Sequence, residues 1–355
     1  MNYPFYTDKP IKRTQPVELP ISRSEEQTRP EAYLPDKGLI DAVNVALLLG
    51  KPLLLTGKPG TGKTQLAYHL AYQLGLQTLK FETKSTSQSR DLFYIYDALG
   101  RFHAAQAAQL EKGKKSDEKT SVDYITYNAL GLAIIFSNEL EKIKRFLPRD
   151  FDEKVKDGLG KDFVFSKPQR CVVLIDEIDK APSDFPNDIL NEVENLYFRI
   201  PELDNIKIGA TKEMSPILIL TSNSEKSLPE PFLRRCIYYD IPFPYPGRLT
   251  EIVEARLGSY AKSEFVKDAL KLFIQLRNSL DKKPSTAELL DWIIALRRRY
   301  EDTDNPVASY PDSALNTLSA LVKKSKDQEI AQQTLNALVK KSKEQEMAQQ
   351  TLKNT

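Results

Sequence analysis

A glycine-rich octapeptide near the start of the chain carries the residue types that bind phosphate groups. Its sequence, GKPGTGKT, matches the pattern G-x-x-x-x-G-K-[ST] and follows a short apolar stretch, PLLLT. Glycines let successive backbone N–H groups point at phosphate oxygens, a lysine reaches the β- and γ-phosphates, and a threonine hydroxyl binds magnesium. We therefore expect a nucleotide site built from Gly57, Lys58, Pro59, Gly60, Thr61, Gly62, Lys63 and Thr64. Because proline lacks an N–H group, the donors should come from Gly60 onward.

Two adjacent carboxylates, Asp176 and Glu177, end the apolar run CVVLI. An isolated Asp-Glu pair is usually a solvated surface feature. At the carboxyl end of a buried strand, however, the pair would face the crevice in which α/β sheets bind ligands. We therefore expect Asp176 to hold magnesium through water, alongside Thr64, and Glu177 to activate the attacking water as a general base.

Three further polar residues follow the next apolar run, PILIL. Asn223 could orient the lytic water, or it could simply cap a turn. Arg234 and Arg235 could form a solvated face, or one of them could reach a neighbouring subunit's nucleotide as an arginine finger. We include all three in the predicted catalytic set.

The elements that must position these residues alternate between strands and helices. Short apolar strands are predicted at residues 52–56, 78–81, 171–175 and 216–220, and helices at 129–146 and about 185–196. Apolar residues at helical spacing also follow the glycine-rich loop. This alternation predicts an α/β fold, a parallel sheet with helices on both faces.

Changes in composition along the chain suggest four regions. We predict an extended proline-rich arm at 1–37, the α/β domain at 38–243 with an insertion at about 93–168, a small helical domain at 244–302 and a tail at 303–355. Within the insertion, YDALGRFH is expected to be structured and the lysine-rich loop near 111–121 to be mobile.

The tail contains an internal repeat, in which SALVKKSKDQEIAQQTL at 319–335 recurs as NALVKKSKEQEMAQQTL at 336–352. Each copy has few large apolar residues, so neither could bury a core alone. We expect the tail to stand apart from the helical domain, as a docking or tethering element or as a solvated helical extension, with neither favoured.

Four motifs in order, GKPGTGKT, LIDEIDKAP, ILTSN and PFLRRC, resemble the MoxR family of AAA+ ATPases over residues 38–300. The resemblance implies a P-loop AAA+ core, a helical lid, ATP and Mg²⁺ as cofactors, and a hexameric ring. It also implies a von Willebrand factor A partner and a protein client to remodel. KAPSDFPNDILNEVE resembles the family's pore-side helix, and FRIPELDNIKIGATKEMSP resembles its hairpin before the sensor strand.

The resemblance assigns the finger to Arg235, with Arg234 in place of an aspartate. One departure concerns the second sensor, which is an arginine in the family and aligns here with Ala287. No sensor-2 residue is therefore assigned, and sensing of the nucleotide by the lid is not predicted.

Two other classes of function stay open: a nucleic-acid-linked motor of a restriction or defence system, and a slowly hydrolysing nucleotide switch. The net charge of +2 gives no basic field for DNA. The two cysteines have no metal or redox spacing, and His103 has no second ligand nearby. His69 is expected to be partly exposed on a helix. Lacking a signal peptide or an apolar span, the chain is expected to be cytoplasmic.

Overall fold

The computed structural model of the chain falls into two compact units, which we call the sheet unit and the helical unit. The residues it describes are 29–110, 119–223, 228–258, 263–310 and 312–337. The sheet unit comprises Pro35–Lys58 and Gly62–Ile241, and the helical unit comprises the described parts of Met1–Leu34, Pro59–Thr61 and Pro242–Thr355. The expected N-terminal arm lies largely outside the described residues.

The sheet unit is organised around five parallel strands in the order β2-β5-β8-β1-β9. The strands are β1 (Leu53–Thr56), β2 (Gln77–Glu82), β5 (Cys171–Asp176), β8 (Ile217–Thr221) and β9 (Ile237–Asp240). All residues of β1 and β5 are buried, so both faces of the central strands are covered. This confirms the predicted parallel α/β fold and adds β9, which the sequence pattern did not reveal.

Two helices pack on this sheet, the first against β9 and β1 and the second against β5, β2 and β8. Helix α1 (Lys37–Leu49) begins where the Asp36 side chain accepts the N–H of Leu39, and it ends at Gly50 in the left-handed conformation. Helix α2 (Lys63–Leu74) follows the glycine-rich loop and buries Leu66, Ala67 and Leu70, among others. His69 is also buried there, at 7% exposure, so the expectation that it is partly exposed is wrong.

The insertion between β2 and β5 is a structured lobe that packs on the sheet. Its short strands β3 (Tyr94–Tyr96) and β4 (Ile125–Tyr127) pair antiparallel. Its helices are α3 (Ala98–Leu110), α4 (Ala129–Phe136), α5 (Leu140–Ile143) and α6 (Phe151–Leu159). The YDALGRFH segment is thus structured, as expected, whereas the lysine-rich loop lies mostly outside the described residues.

The helix expected over 129–146 is interrupted after Phe136. The buried hydroxyl of Ser137 donates back to the carbonyl of Ile134, and the Asn138 amide does the same. These side-chain bonds compete with helix continuation. Earlier in α4, a Cβ at Gly131 would lie 2.0 Å from the carbonyl oxygen of Phe93, so this contact requires glycine.

The segment between β5 and β9 contains short elements. Helices α7 (Phe185–Asp188) and α8 (Leu190–Asn195) replace the single helix predicted over about 185–196. An antiparallel hairpin of β6 (Tyr197–Ile200) and β7 (Ile206–Gly209) then precedes β8, where the sequence resemblance placed one. Helix α9 (Glu230–Leu233) leads into β9.

The helical unit has its own apolar core around the fully buried Trp292. Its helices are α10 (Pro246–Leu257), α11 (Glu264–Ser279), α12 (Thr286–Arg299), α13 (Pro306–Ser309), α14 (Ser313–Asn316) and α15 at residues 325–337. Within the described residues, no helix is both long and apolar enough to cross a bilayer.

The first repeat copy belongs to this core, which corrects the expectation that the tail stands apart after residue 302. Leu321, Val322 and Leu335 are each 3% exposed or less and pack in the same cluster as Trp292. Asp327, 1% exposed, accepts the backbone N–H groups of residues 281 and 282. A segment too poor in apolar residues to form a core alone thus completes the core of its neighbour. The second copy lies almost entirely outside the described residues.

Candidate active site

The loop after β1 brings a buried lysine next to its own backbone. Gly62, with φ of 94°, is the N-cap of α2, a conformation that residues with a side chain rarely adopt. Lys63 is 6% exposed, and its Nζ donates to the carbonyl oxygens of Gly57 (2.7 Å) and Lys58 (3.1 Å). Burial lowers the pKa of Lys63, and nearby carboxylates, foremost those of Asp179 and Asp176, offset part of that effect.

Asp176 lies at the carboxyl end of β5 and is the centre of a hydrogen-bond cluster. Its Oδ1 accepts the hydroxyl of Thr64 at 2.9 Å and that of Thr221 at 2.7 Å. Its Oδ2 lies 3.0 Å from Nζ of Lys80. The structure thus brings together Thr64 and Asp176, which the sequence assigned to magnesium, and it adds Thr221 and Lys80.

The donor set fits a magnesium ion. Thr64 and Asp176 offer hard oxygen atoms within hydrogen-bond distance of each other. Magnesium is commonly bound through one or two such protein groups together with phosphates and water, without a dedicated protein cage. The described residues contain no cluster of three or more His, Cys, Asp or Glu side chains arranged to hold a metal.

Glu177 is held in an unusual backbone conformation directly after Asp176. Its φ of 56° lies in the left-handed region, which costs a non-glycine residue roughly 1–3 kcal/mol. Its N–H donates to Thr221 Oγ1 at 2.8 Å, which stabilises the turn. Its side chain accepts from Asn223 Nδ2 at 3.0 Å through Oε1 and pairs with Lys180 through Oε2.

Asn223 is fixed at its backbone as well as its side chain. Its N–H donates to both carboxylate oxygens of Asp179, at 3.3 and 3.1 Å, and Asp179 is 3% exposed. The side-chain amide is therefore oriented by a buried anchor and is directed at Glu177. The amide thus contacts the predicted general base, and its role in orienting the lytic water stays a prediction.

The two arginines lie apart from this cluster within the sheet unit. Arg235 donates to Glu194 Oε2 at 2.8 Å and to the carbonyl of Pro231 at 2.9 Å. Arg234 pairs with Glu230 at 3.2 Å. The structure therefore brings Thr64, Asp176, Glu177 and Asn223 together but not the arginines.

Several contacting residues were missed by sequence reasoning. Thr221 lies two residues before Asn223, and Asp179 lies two residues after Glu177. Their closeness to the motifs in the sequence could have identified them. Lys80 lies in a different strand almost a hundred residues earlier. Only the order of the strands shows that β2 lies beside β5. Ala287, which the resemblance aligns with the second sensor, is the second residue of α12.

A family profile described as "ATPase family associated with various cellular activities (AAA)" matches residues 53–245, more than half of the chain. The chain belongs to the AAA family of ATPases. This AAA domain begins at β1 and extends beyond β9, so it contains the phosphate-binding loop, the Asp176 cluster and both arginines. The cofactors expected from the sequence, ATP and Mg²⁺, are those that AAA+ ATPases bind.

Solved structures similar to this AAA chain include several of RuvB from Thermotoga maritima. One RuvB point variant is 18% identical over 82% of this chain and 70% of its own, with a TM-score of 0.45. Another, of RuvB as a Holliday junction branch migration motor, is 17% identical over 82% of this chain and 69% of its own, with a TM-score of 0.43. No significant match to a curated protein was found.

Proposed function

We propose that this AAA+ ATPase assembles into a hexameric ring and uses ATP hydrolysis to remodel or activate a protein client, together with a von Willebrand factor A partner. The four motifs that resemble MoxR proteins support the client and the partner. The position of Arg235 supports the ring, and it is the observation that carries the proposal.

The proposed chemistry uses the Asp176 cluster directly. Lys63 and the loop N–H groups bind the phosphates, while Thr64 and Asp176 hold magnesium. When bound, the ion neutralises charge on the β- and γ-phosphates. Glu177 accepts a proton from the attacking water at a carboxylate oxygen, and Asn223 keeps that carboxylate in place.

The proposed ring follows from the position of Arg235, the predicted arginine finger, which is bonded to Glu194 in its own subunit. A developing charge on the γ-phosphate is commonly stabilised by an arginine, which can be supplied in trans. Arg235 is 42% exposed at its side chain, and it is bonded to Glu194 and to the carbonyl oxygen of Pro231. An exposed arginine that follows β8 in the chain and is bonded to Glu194 is suited to contact the γ-phosphate of a nucleotide bound by a neighbouring subunit.

A protein client is favoured over nucleic acid by composition. A net charge of +2 over 355 residues provides no basic field to bind a phosphate backbone. The helices α7 and α8 resemble the part with which MoxR proteins line their pore, so these helices and the β6–β7 hairpin that follows them are the proposed client-facing elements.

The test combines assembly with stimulation. The Glu177→Gln protein, saturated with ATP and Mg²⁺, should sediment as a hexamer in analytical ultracentrifugation. Wild-type turnover should then rise with a von Willebrand factor A protein encoded beside it and stay constant with duplex or branched DNA. A persistent monomer would contradict the ring. Stimulation by DNA alone would instead support the nucleic-acid motor.

A further inference from the structure

Lys80 lies on β2, the strand that pairs with β5. Lys80 is opposite Leu174 in the register, and Glu82 is opposite Asp176. The Nζ atom of Lys80 lies 3.0 Å from Oδ2 of Asp176 and 3.8 Å from Oε2 of Glu82. The lysine is thus held between two carboxylates, one of which is assigned to magnesium.

The ion pair completes the bonding of the Asp176 carboxylate. Its Oδ1 already accepts two hydroxyls, from Thr64 and Thr221, and Lys80 occupies Oδ2. The Asp176 side chain is 9% exposed. A buried carboxylate without a compensating charge is costly, so a cation beside it stabilises the site when no metal is bound.

The other two lysines near the cluster have different partners. Lys63 donates to carbonyl oxygens of its own loop, and Lys180 pairs with Glu177. Lys80, by contrast, forms a direct ion pair with Asp176.

We propose that Lys80 is a resident cation that sets the magnesium affinity of the site. A divalent ion that binds Asp176 is either repelled by the nearby ammonium group of Lys80 or must break the ion pair between Lys80 and Asp176. Both effects make the binding of the ion less favourable. Lys80 therefore keeps Asp176 compensated without metal and weakens metal binding when nucleotide is present. The inference rests on the proposed assignment of Asp176 to magnesium.

The experiment measures metal binding directly, in the full chain loaded with one equivalent of ADP. Mn²⁺, a paramagnetic substitute for magnesium, is titrated, and free Mn²⁺ is followed by electron paramagnetic resonance. Lys80→Met should lower the Mn²⁺ dissociation constant by about three- to tenfold, a range moderated by the partial exposure of Lys80. Lys80→Arg, which keeps the charge, should stay within about twofold of wild type.

A matched control is present in the insertion. Lys154 lies 3.0 Å from Asp150, and its side chain is 36% exposed, compared with 34% for Lys80. Lys154→Met should therefore leave the Mn²⁺ dissociation constant unchanged. ADP affinity in EDTA is measured for each variant to show that the site is folded, and Lys80→Gln replaces Lys80→Met if that variant fails this check.

Each outcome decides the proposal. An unchanged or raised dissociation constant in both uncharged Lys80 variants overturns it, as does an equal fall in Lys154→Met. If wild-type ADP complexes bind no Mn²⁺ at this site, or if Asp176→Asn binds it as tightly as wild type, the assignment of Asp176 to the metal fails. Those results differ from failure of the role of Lys80 alone.

Discussion

The side-chain amide of Asn223, two residues past the end of β8, donates over 3.0 Å to Oε1 of Glu177, the residue after β5. The donor is anchored because the backbone N–H of Asn223 is bound to the buried Asp179. The acceptor is anchored because the N–H of Glu177 is bound to Thr221. Two neighbouring parallel strands thus fix a carboxylate and an amide at one edge of the sheet.

This relationship predicts the effect of removing the amide. Asn223→Ala should lower kcat by about 10- to 100-fold while changing the Kd for ATP less than threefold, because Glu177 loses its orienting donor and the phosphate loop is untouched. Asn223→Asp should be more damaging, since a second carboxylate would repel Glu177. Asn195→Ala, an exposed asparagine on α8, is the control. Steady-state ATPase assays and fluorescent-nucleotide binding measure both quantities, and wild-type turnover in Asn223→Ala would contradict the role.

Replacing the general base itself should separate binding from hydrolysis. Glu177→Gln keeps the shape of the side chain and the backbone bond to Thr221 but cannot accept a proton from water. We expect kcat to fall by at least about 100-fold with ATP binding retained. The exposed Glu213→Gln serves as the control and should behave as wild type. Near-normal turnover in Glu177→Gln would remove that residue from the role.

Motif spacing placed the phosphate loop, the two carboxylates and Asn223 in the predicted site, because each lies at or shortly after the end of an apolar strand. The strand order was not available from spacing, and so the ion pair between Lys80 and Asp176 could not be foreseen. Nor does any local pattern mark the left-handed conformation of Glu177. It is supported by a hydrogen bond from the neighbouring strand, which is a tertiary effect.

The tail shows a different limit of sequence reasoning. Its sparse apolar residues predicted that it could not form a core alone, but the pattern did not reveal which surface would cover them. The structure packs Leu321 and Leu335 against the helical unit. Amphipathic segments are therefore poor markers of domain boundaries, because their partners are set by three-dimensional packing.

The exposed arginines give a prediction about catalysis between subunits. Arg235→Ala should bind ATP normally and hydrolyse it on the order of 1000-fold more slowly if the residue acts as a finger. Mixing it with Lys63→Ala protein, which lacks its own phosphate grip but keeps Arg235, should restore part of the activity. Arg234→Ala is assayed in parallel because Arg234 is the alternative finger. Absence of recovery, in assemblies shown to exchange subunits, would contradict a shared site.

The first repeat copy should be required for the fold of the helical unit. Truncation after Tyr300 removes the Thr317 hydroxyl that accepts the indole N–H of Trp292 at 2.9 Å, together with the buried Leu321, Val322 and Leu335. Losing several buried aliphatic side chains at about 2–5 kcal/mol each exceeds what a small unit can tolerate.

The single tryptophan of the chain, Trp292, reports this directly. The chain truncated after Tyr300 should show the red-shifted emission of an exposed indole. Truncation after Ala337 removes most of the second copy, keeps all the described contacts, and should retain native emission and the same urea midpoint. Asp327→Ala should lower the free energy of unfolding by about 1–3 kcal/mol, because the N–H groups of residues 281 and 282 lose a buried acceptor. Native emission after truncation at Tyr300 would show that the unit folds without the repeat and would restore a domain boundary near residue 302.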